Sequence, residues 1–355
     1  MNSFIGNITK DSEELFKDEE QGTAATLASL REISDGLWQT TATLSITSET
    51  TREIDTLLNE LQKHAKSLPD NELLEGIGIG YVSRISALVK RADFQNMNLL
   101  TQSKSMDVLT ETKVKDGVRS KVFKTIPSFN LSLDNGPFRL TKDFNENSTS
   151  ILVLDSHNPA AAFAELESVA ICLRKDGGPR RTIVTNIEWT KNPKYICAVL
   201  NATIRCTHPD IGDVPVSFDG RSITIEPPKD TVIEAVCLRG PSVGALGHLK
   251  TLLSDERCDA NAVIAATELA LLATKECRKL YREKLEDIKK MEAMTLAVME
   301  RIALMTVMPE SSVPESAALI AVNTAQMIST SEYNIAESSK DILELMLEKE
   351  TVKMS

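Results

Sequence analysis

SVAICLRKDGGPRRTIVTNI, from Ser168 to Ile187, reads as two β-strands and the turn between them. Apolar and β-branched residues alternate with small or polar ones on both sides, the period-two pattern of a half-buried strand. Asp176-Gly-Gly-Pro supplies the turn, because glycine accepts positive φ and proline cannot continue a ladder. Working outward, the same period recurs. VFKTIP, FNLSL and SILVLD precede this hairpin, and YICAVLNATIRC, VPVSF, SITIEP and TVIEAVCLR follow it. Asp134-Asn-Gly-Pro, Asp219-Gly and Pro227-Pro separate several of them. Eight or nine strands at this spacing predict a central antiparallel β-sandwich or partly closed barrel over 116–248.

On either side the period changes to that of a helix. Leu27, Leu30, Ser34, Leu37, Thr41, Leu44, Thr47, Thr51, Ile54, Leu58 and Leu61 step by threes and fours, and Pro69 stops the run. A short helix from Tyr81 to Ala92 is expected after Gly76, Gly78 and Gly80. These glycines lack the spacing and the preceding strand of a phosphate-binding loop. Toward the C-terminus, Ile288, Met291, Thr295, Val298, Ile302 and Met305 keep a heptad-like stripe, and 314–350 is again amphipathic. The expected fold class is α+β, with helical regions at 1–115 and 249–355 flanking the β-core. The stripe predicts self-association or packing of the outer helices on one another.

The chain has 355 residues and a net charge of −11, which excludes a surface coated with basic residues. That total hides a basic centre: residues 115–250 hold 17 Lys and Arg against 15 Asp and Glu. No run of 18 apolar residues occurs, so no transmembrane span is expected. The N-terminus turns acidic before any hydrophobic stretch of signal-peptide length, which predicts an intracellular protein. Six cysteines with no CxxC spacing then read as reduced thiols.

None of the motifs GxSxG, HExxH, the Walker loop or the EF-hand loop is present, and His64, His157, His208 and His248 are scattered. Cys206 and His208 form half of a zinc site at most. The chain is therefore read as non-enzymatic, with no cofactor and no metal. The most distinctive chemistry lies between 174 and 195. Arg174, Lys175, Arg180, Arg181, Lys191 and Lys194 meet only Asp176 and Glu188 within the stretch, with Trp189 and Tyr195 interleaved. Cations neutralise phosphates and aromatic faces stack on unpaired bases, so these eight residues are the expected single-stranded nucleic-acid platform. The competing reading is a solvated hairpin tip.

Ile151-Leu-Val-Leu-Asp155, an apolar strand ending in aspartate, and Gly212, 57 positions later and before another apolar strand, form a wider pattern. Together with Tyr195–Arg205 read as a strand, it resembles the core of plant-virus cell-to-cell movement proteins of the thirty-kilodalton superfamily. The resemblance covers about 120–240. It implies transport of single-stranded RNA or a viral nucleoprotein through plasmodesmata, self-association, and host plasmodesmal or membrane-associated partners. It also makes Asp155 and Gly212 structural motif residues, with Asp155 holding a turn. The alternative is a viral capsid or intermediate-shell protein, whose order of elements is similar: a β-sandwich inserted in a helical domain.

Overall fold

The structure is a computed structural model describing residues 2–67, 77–101, 105–115, 118–144, 150–187, 192–212, 214–253 and 260–307. Its elements in chain order are α1 (Asn2–Ser67), α2 (Ile77–Arg91), β1 (Met106–Lys115), β2 (Val118–Ile126), β3 (Phe138–Phe144) and β4 (Ser150–Ser156). Next come α3 (Pro159–Ala164), β5 (Ser168–Lys175), β6 (Arg180–Asn186), α4 (Pro193–Thr207), β7 (Val216–Phe218) and β8 (Ser222–Ile225). β9 (Thr231–Arg239), α5 (Gly247–Leu253) and α6 (Ala260–Val307) complete it. The chain divides into two compact units. One comprises Met1–Trp38, Leu109–Phe123 and Lys290–Ser355, the other Gln39–Val108 and Lys124–Lys289.

In the larger unit, α1 presents most of the expected seam: Leu44, Thr47, Thr51, Ile54, Leu58 and Leu61 are buried, whereas Thr41 is half-buried and its neighbour Thr40 is buried instead. A buried hydroxyl needs an acceptor, and Thr47 and Thr51 each find one in the preceding helical turn. Thr47 donates to the Thr43 carbonyl at 2.8 Å, and Thr51 donates to that of Thr47 at 2.7 Å. Thr51 also meets the Cys277 thiol of α6 at 3.9 Å, and Arg278 pairs with Asp55 at 2.8 Å. Deeper still, Tyr281 donates its hydroxyl to the Leu99 carbonyl at 2.9 Å. This polar ladder sets the register of α1 on α6, which apolar contacts alone leave free to slide.

The sheets are antiparallel in β3-β4-β8-β7 and in β6-β5-β9, with β1 and β2 forming a separate two-stranded sheet. Among the described residues no closed barrel forms. The two larger sheets share one core. Phe138, Val216, Ile223 and Ile225 from the first meet Val169, Ile171, Leu173, Ile183 and Ile233 from the second.

Helices complete this core, and one of them replaces a predicted strand. YICAVLNATIRC lies in α4, not in a strand, and its buried residues are Ile196, Cys197, Leu200 and Ile204, the spacing of one helix face. The local signal is Asn192-Pro193. Asn192 accepts from the Lys194 N–H at 3.0 Å as N-cap, and Pro193 has no N–H to leave unpaired. Asn192→Ala is expected to cost about 1 kcal/mol of stability, read from urea denaturation. FNLSL also forms no strand. Its amides instead bind an adjoining loop, Phe129 N–H to Leu99 and Leu131 N–H to Leu100, both at 2.9 Å.

In the smaller unit the described side chains make a thin core. Ile33 and Leu37 of α1, Leu109 of β1 and Ile302 of α6 are buried. Thr110 donates to the Val122 carbonyl across the two strands at 3.3 Å, and Lys121 pairs with Glu32. Of the predicted stripe on α6, Ile288 (in the larger unit) and Ile302 are buried and Val298 is half-buried, while the Met305 side chain lies outside the described residues.

Candidate functional site

The hairpin β5–β6 places Arg174 directly opposite Arg180. Two like charges facing each other across a ladder repel, so this pair needs an anion. It comes from β9. Along the β5–β9 ladder the register steps at Cys172/Leu173, from Ala235 to Ile233, leaving Glu234 as the extra residue of a β-bulge. The bulge aims the Glu234 carboxylate between the two guanidiniums. Arg180 Nε donates to Oε2 at 2.5 Å, and Arg174 approaches Oε1 at 2.6 Å as a charge contact outside hydrogen-bond alignment. The Glu234 side chain is only 3% exposed. Arg180 then reaches α6, donating to the Asn261 side-chain oxygen at 3.0 Å and its carbonyl at 3.3 Å.

The neighbouring cations are also partnered. Lys175 pairs with Asp230 at 3.3 Å and donates to the Asp210 carbonyl at 2.8 Å, and Arg181 pairs with Asp210 at 3.4 Å. Burial pulls the Asp230 carboxyl upward, but the Lys175 bond and charge outweigh it and hold the group below its ordinary value. Asp176 and Gly177 form the turn itself with positive φ of 48° and 69°.

The structure thus brings Arg174, Lys175, Arg180 and Arg181 together and sets three carboxylates among them. Lys194 and Tyr195 stand exposed on the first turn of α4, and Trp189 and Lys191 lie outside the described residues. Glu234, Asp230, Asp210 and Asn261 were not legible as members of this cluster, since Glu234 lies 54 and Asn261 81 positions from Arg180. Asp155 sits within β4, registered against Arg139 of β3 and Ser222 of β8, and its side chain lies outside the described residues. Gly212 has φ of 84°, a conformation that suits glycine.

The buried thiols of Cys172, Cys197 and Cys237 are not poised for chemistry. Burial, then Glu234 and Glu268, push Cys172 up to about 12, and burial pushes Cys237 up to about 12 and Cys197 to about 11. A thiol so raised stays protonated at neutral pH and is a poor nucleophile or metal ligand. All five described cysteines are free, and among the described residues no group of three or more His, Cys, Asp or Glu is placed to hold a metal. No described helix is long and apolar enough to cross a membrane. A groove of about 400 Å³ between α1 and α2 has Leu57, Ala87 and Leu88 in its lining. Its charged rims are joined by Arg91–Glu53 at 3.2 Å and Arg84–Glu60 at 3.8 Å.

No family model matches the chain, and no curated protein matches it. Solved structures with a similar arrangement include the flagellar hook-associated protein-3 of Legionella pneumophila, with 10% identity and a TM-score of 0.30. It spans 82% of this chain and 97% of its own. FlgL of Xanthomonas campestris has 9% identity and a TM-score of 0.35, covering 84% and 98%. The flagellar junction protein FlgL of Legionella pneumophila has 11% identity and a TM-score of 0.29, covering 82% and 97%. These are bacterial flagellar proteins, not plant-virus movement proteins. They correct the movement-protein resemblance, and with it the transport function and the plasmodesmal location. The fold agrees with that correction, because Tyr195–Arg205, which carried part of the resemblance as a strand, is helical. At TM-scores this low the likeness carries no function over to this chain.

Proposed function

We propose that this chain is a non-enzymatic structural subunit that associates with further copies of itself through the unit formed by its two ends. The supporting observation is how little of that unit's described apolar surface is covered. Against four buried hydrophobics, Trp38, Phe123 and Leu296 stand 56%, 54% and 45% exposed. The described part of the unit, two helical stretches and a two-stranded ribbon, has a core below what supports independent stability. Trp and Phe are also among the residues enriched at interface cores, where they dominate binding energy. A second copy fits the charge of this surface. The same stretch of α6 carries Lys290 and Arg301 beside Glu292 and Glu300, so a like surface meets both signs.

Sedimentation velocity tests the proposal. The full chain is expected to run well above 39.0 kDa. A Trp38→Ser, Phe123→Ser, Leu296→Ser variant should fall toward the monomer mass and keep the melting of the larger unit. A wild-type chain that stays monomeric up to its solubility limit would overturn the reading. So would a triple variant of unchanged mass.

A further inference from the structure

We propose that His248 is an acid-sensitive lock: when its buried ring takes up a proton, α5 is released from α6 and the β9–α5 junction opens. The geometry is that of a ring built in as the neutral form. His248 is 5% exposed, on a helix whose Gly247, Leu249 and Leu253 are buried with it. Its Nε2 lies 2.9 Å from the Ala266 carbonyl of α6, so Nε2 carries the hydrogen and donates. Nδ1 is then a bare lone pair, buried and without a hydrogen-bond partner. Protonation must place an N–H there. The Ala245 carbonyl favours that charged form and also accepts from the Cys237 thiol at 3.0 Å.

Among the described residues no carboxylate is arranged to compensate the new charge. On α5, Lys250 is exposed and of the wrong sign. On α6, Glu268 acts on Cys172 across the sheet, and on β9 the Cys237 thiol stays neutral. On the loop that crosses the start of α5, Asp134 is exposed and accepts from the Gly136 N–H at 3.0 Å. On α2, which touches α5 where Gly78 faces Leu253, Arg84 and Arg91 pair with Glu60 and Glu53. Burial accordingly holds the ring at about 4, against 6.5 for a free histidine, with the Ala266 and Ala245 carbonyls opposing it. The folded value lies below the unfolded one, so the unfolded or opened state takes the proton first. Stability is full above 6.5 and is lost as pH falls toward 4. The opening equilibrium should rise by roughly 60-fold between neutral pH and pH 4.5 from this group alone.

His248→Gln keeps a nitrogen able to donate to Ala266 but cannot be protonated. Urea denaturation at pH 7 and pH 4.5 should show the wild type losing about 60-fold more in its folding equilibrium than this variant. Hydrogen exchange at pH 5 should open the amides of Gly247–Leu253 in the wild type before those of β5. Equal pH dependence of the two proteins would overturn the proposal. Should the variant fail to fold, exchange of the imidazole C2 hydrogen in the wild-type chain reads the ring directly. A folded-state midpoint near 4 supports the lock, and an ordinary value near 6.5 overturns it.

Discussion

Gly244→Ala is expected to destabilise the larger unit by about 3 kcal/mol or more, among the largest single effects available in this fold. A methyl group at Gly244 would be driven into the Ser132 carbonyl oxygen and hydroxyl. Neither can retreat cheaply, because the two segments are laced together there. Gly244 donates to the Asp134 carbonyl at 2.7 Å, Ala245 to Asn130 at 2.9 Å and Leu246 to Ser132 at 3.2 Å. Relieving the overlap therefore means stretching several buried backbone bonds at once. The midpoint of urea denaturation measures the loss. Gly80→Ala serves as the contrast. Gly80 is an exposed residue of α2 with nothing within 4 Å of an added methyl, so alanine there should raise stability by about 0.5–1 kcal/mol. Equal responses at the two positions would show that the 130–136 and 240–247 segments are not pressed together as described.

Removal of the Glu234 carboxylate is the second large effect. Glu234→Ala leaves Arg174 and Arg180 facing each other across the ladder without their anion, and takes away the acceptor of Arg180 Nε. Breaking a buried pair from one side costs about 3–5 kcal/mol. The two guanidiniums keep some contact with water, so about 2–4 kcal/mol is expected here. Because the carboxylate is buried, added salt should restore little of the loss, unlike that of a surface pair. Arg181→Ala supplies the comparison, since its pair with Asp210 is exposed on both sides and should cost under about 1 kcal/mol. Denaturation at low and high ionic strength distinguishes the two. A Glu234→Ala protein as stable as the parent would mean that the arginines find water or other partners without strain.

The same cluster marks where sequence reading stops. Within 174–195 the cations face only Asp176 and Glu188, and a window that short reads as an unneutralised basic surface. The neutralising groups come from β9, from the loop after α4 and from the turn before β9. Charge balance at a site is a three-dimensional sum, and a linear window omits the terms that sheet topology brings in. YICAVLNATIRC shows a different limit. Its β-branched residues favour a strand, but Asn192-Pro193 caps a helix, and the apolar spacing fills the space beside β6 and β7. Tertiary packing and the cap together outweighed a propensity difference of at most about 1 kcal/mol.

What the sequence determined by itself is the order helices, sheet, helices, and the hairpin from Ser168 to Arg181 and beyond to Asn186. Periodicity and turn chemistry are local properties, and Asp176-Gly-Gly-Pro admits few conformations other than the turn that forms. It also determined the seam of α1, since leucines and threonines at three- and four-residue steps can only share one helix face. Tertiary structure alone decided that the described strands divide into separate antiparallel sheets. It alone placed Glu234 between two arginines, through a bulge that shifts one strand by one residue. It likewise sealed His248 beneath α6 with one nitrogen unpartnered. Each of these depends on which distant segments meet, and the balance of burial and pairing that selects those meetings is not written in any one window of the chain.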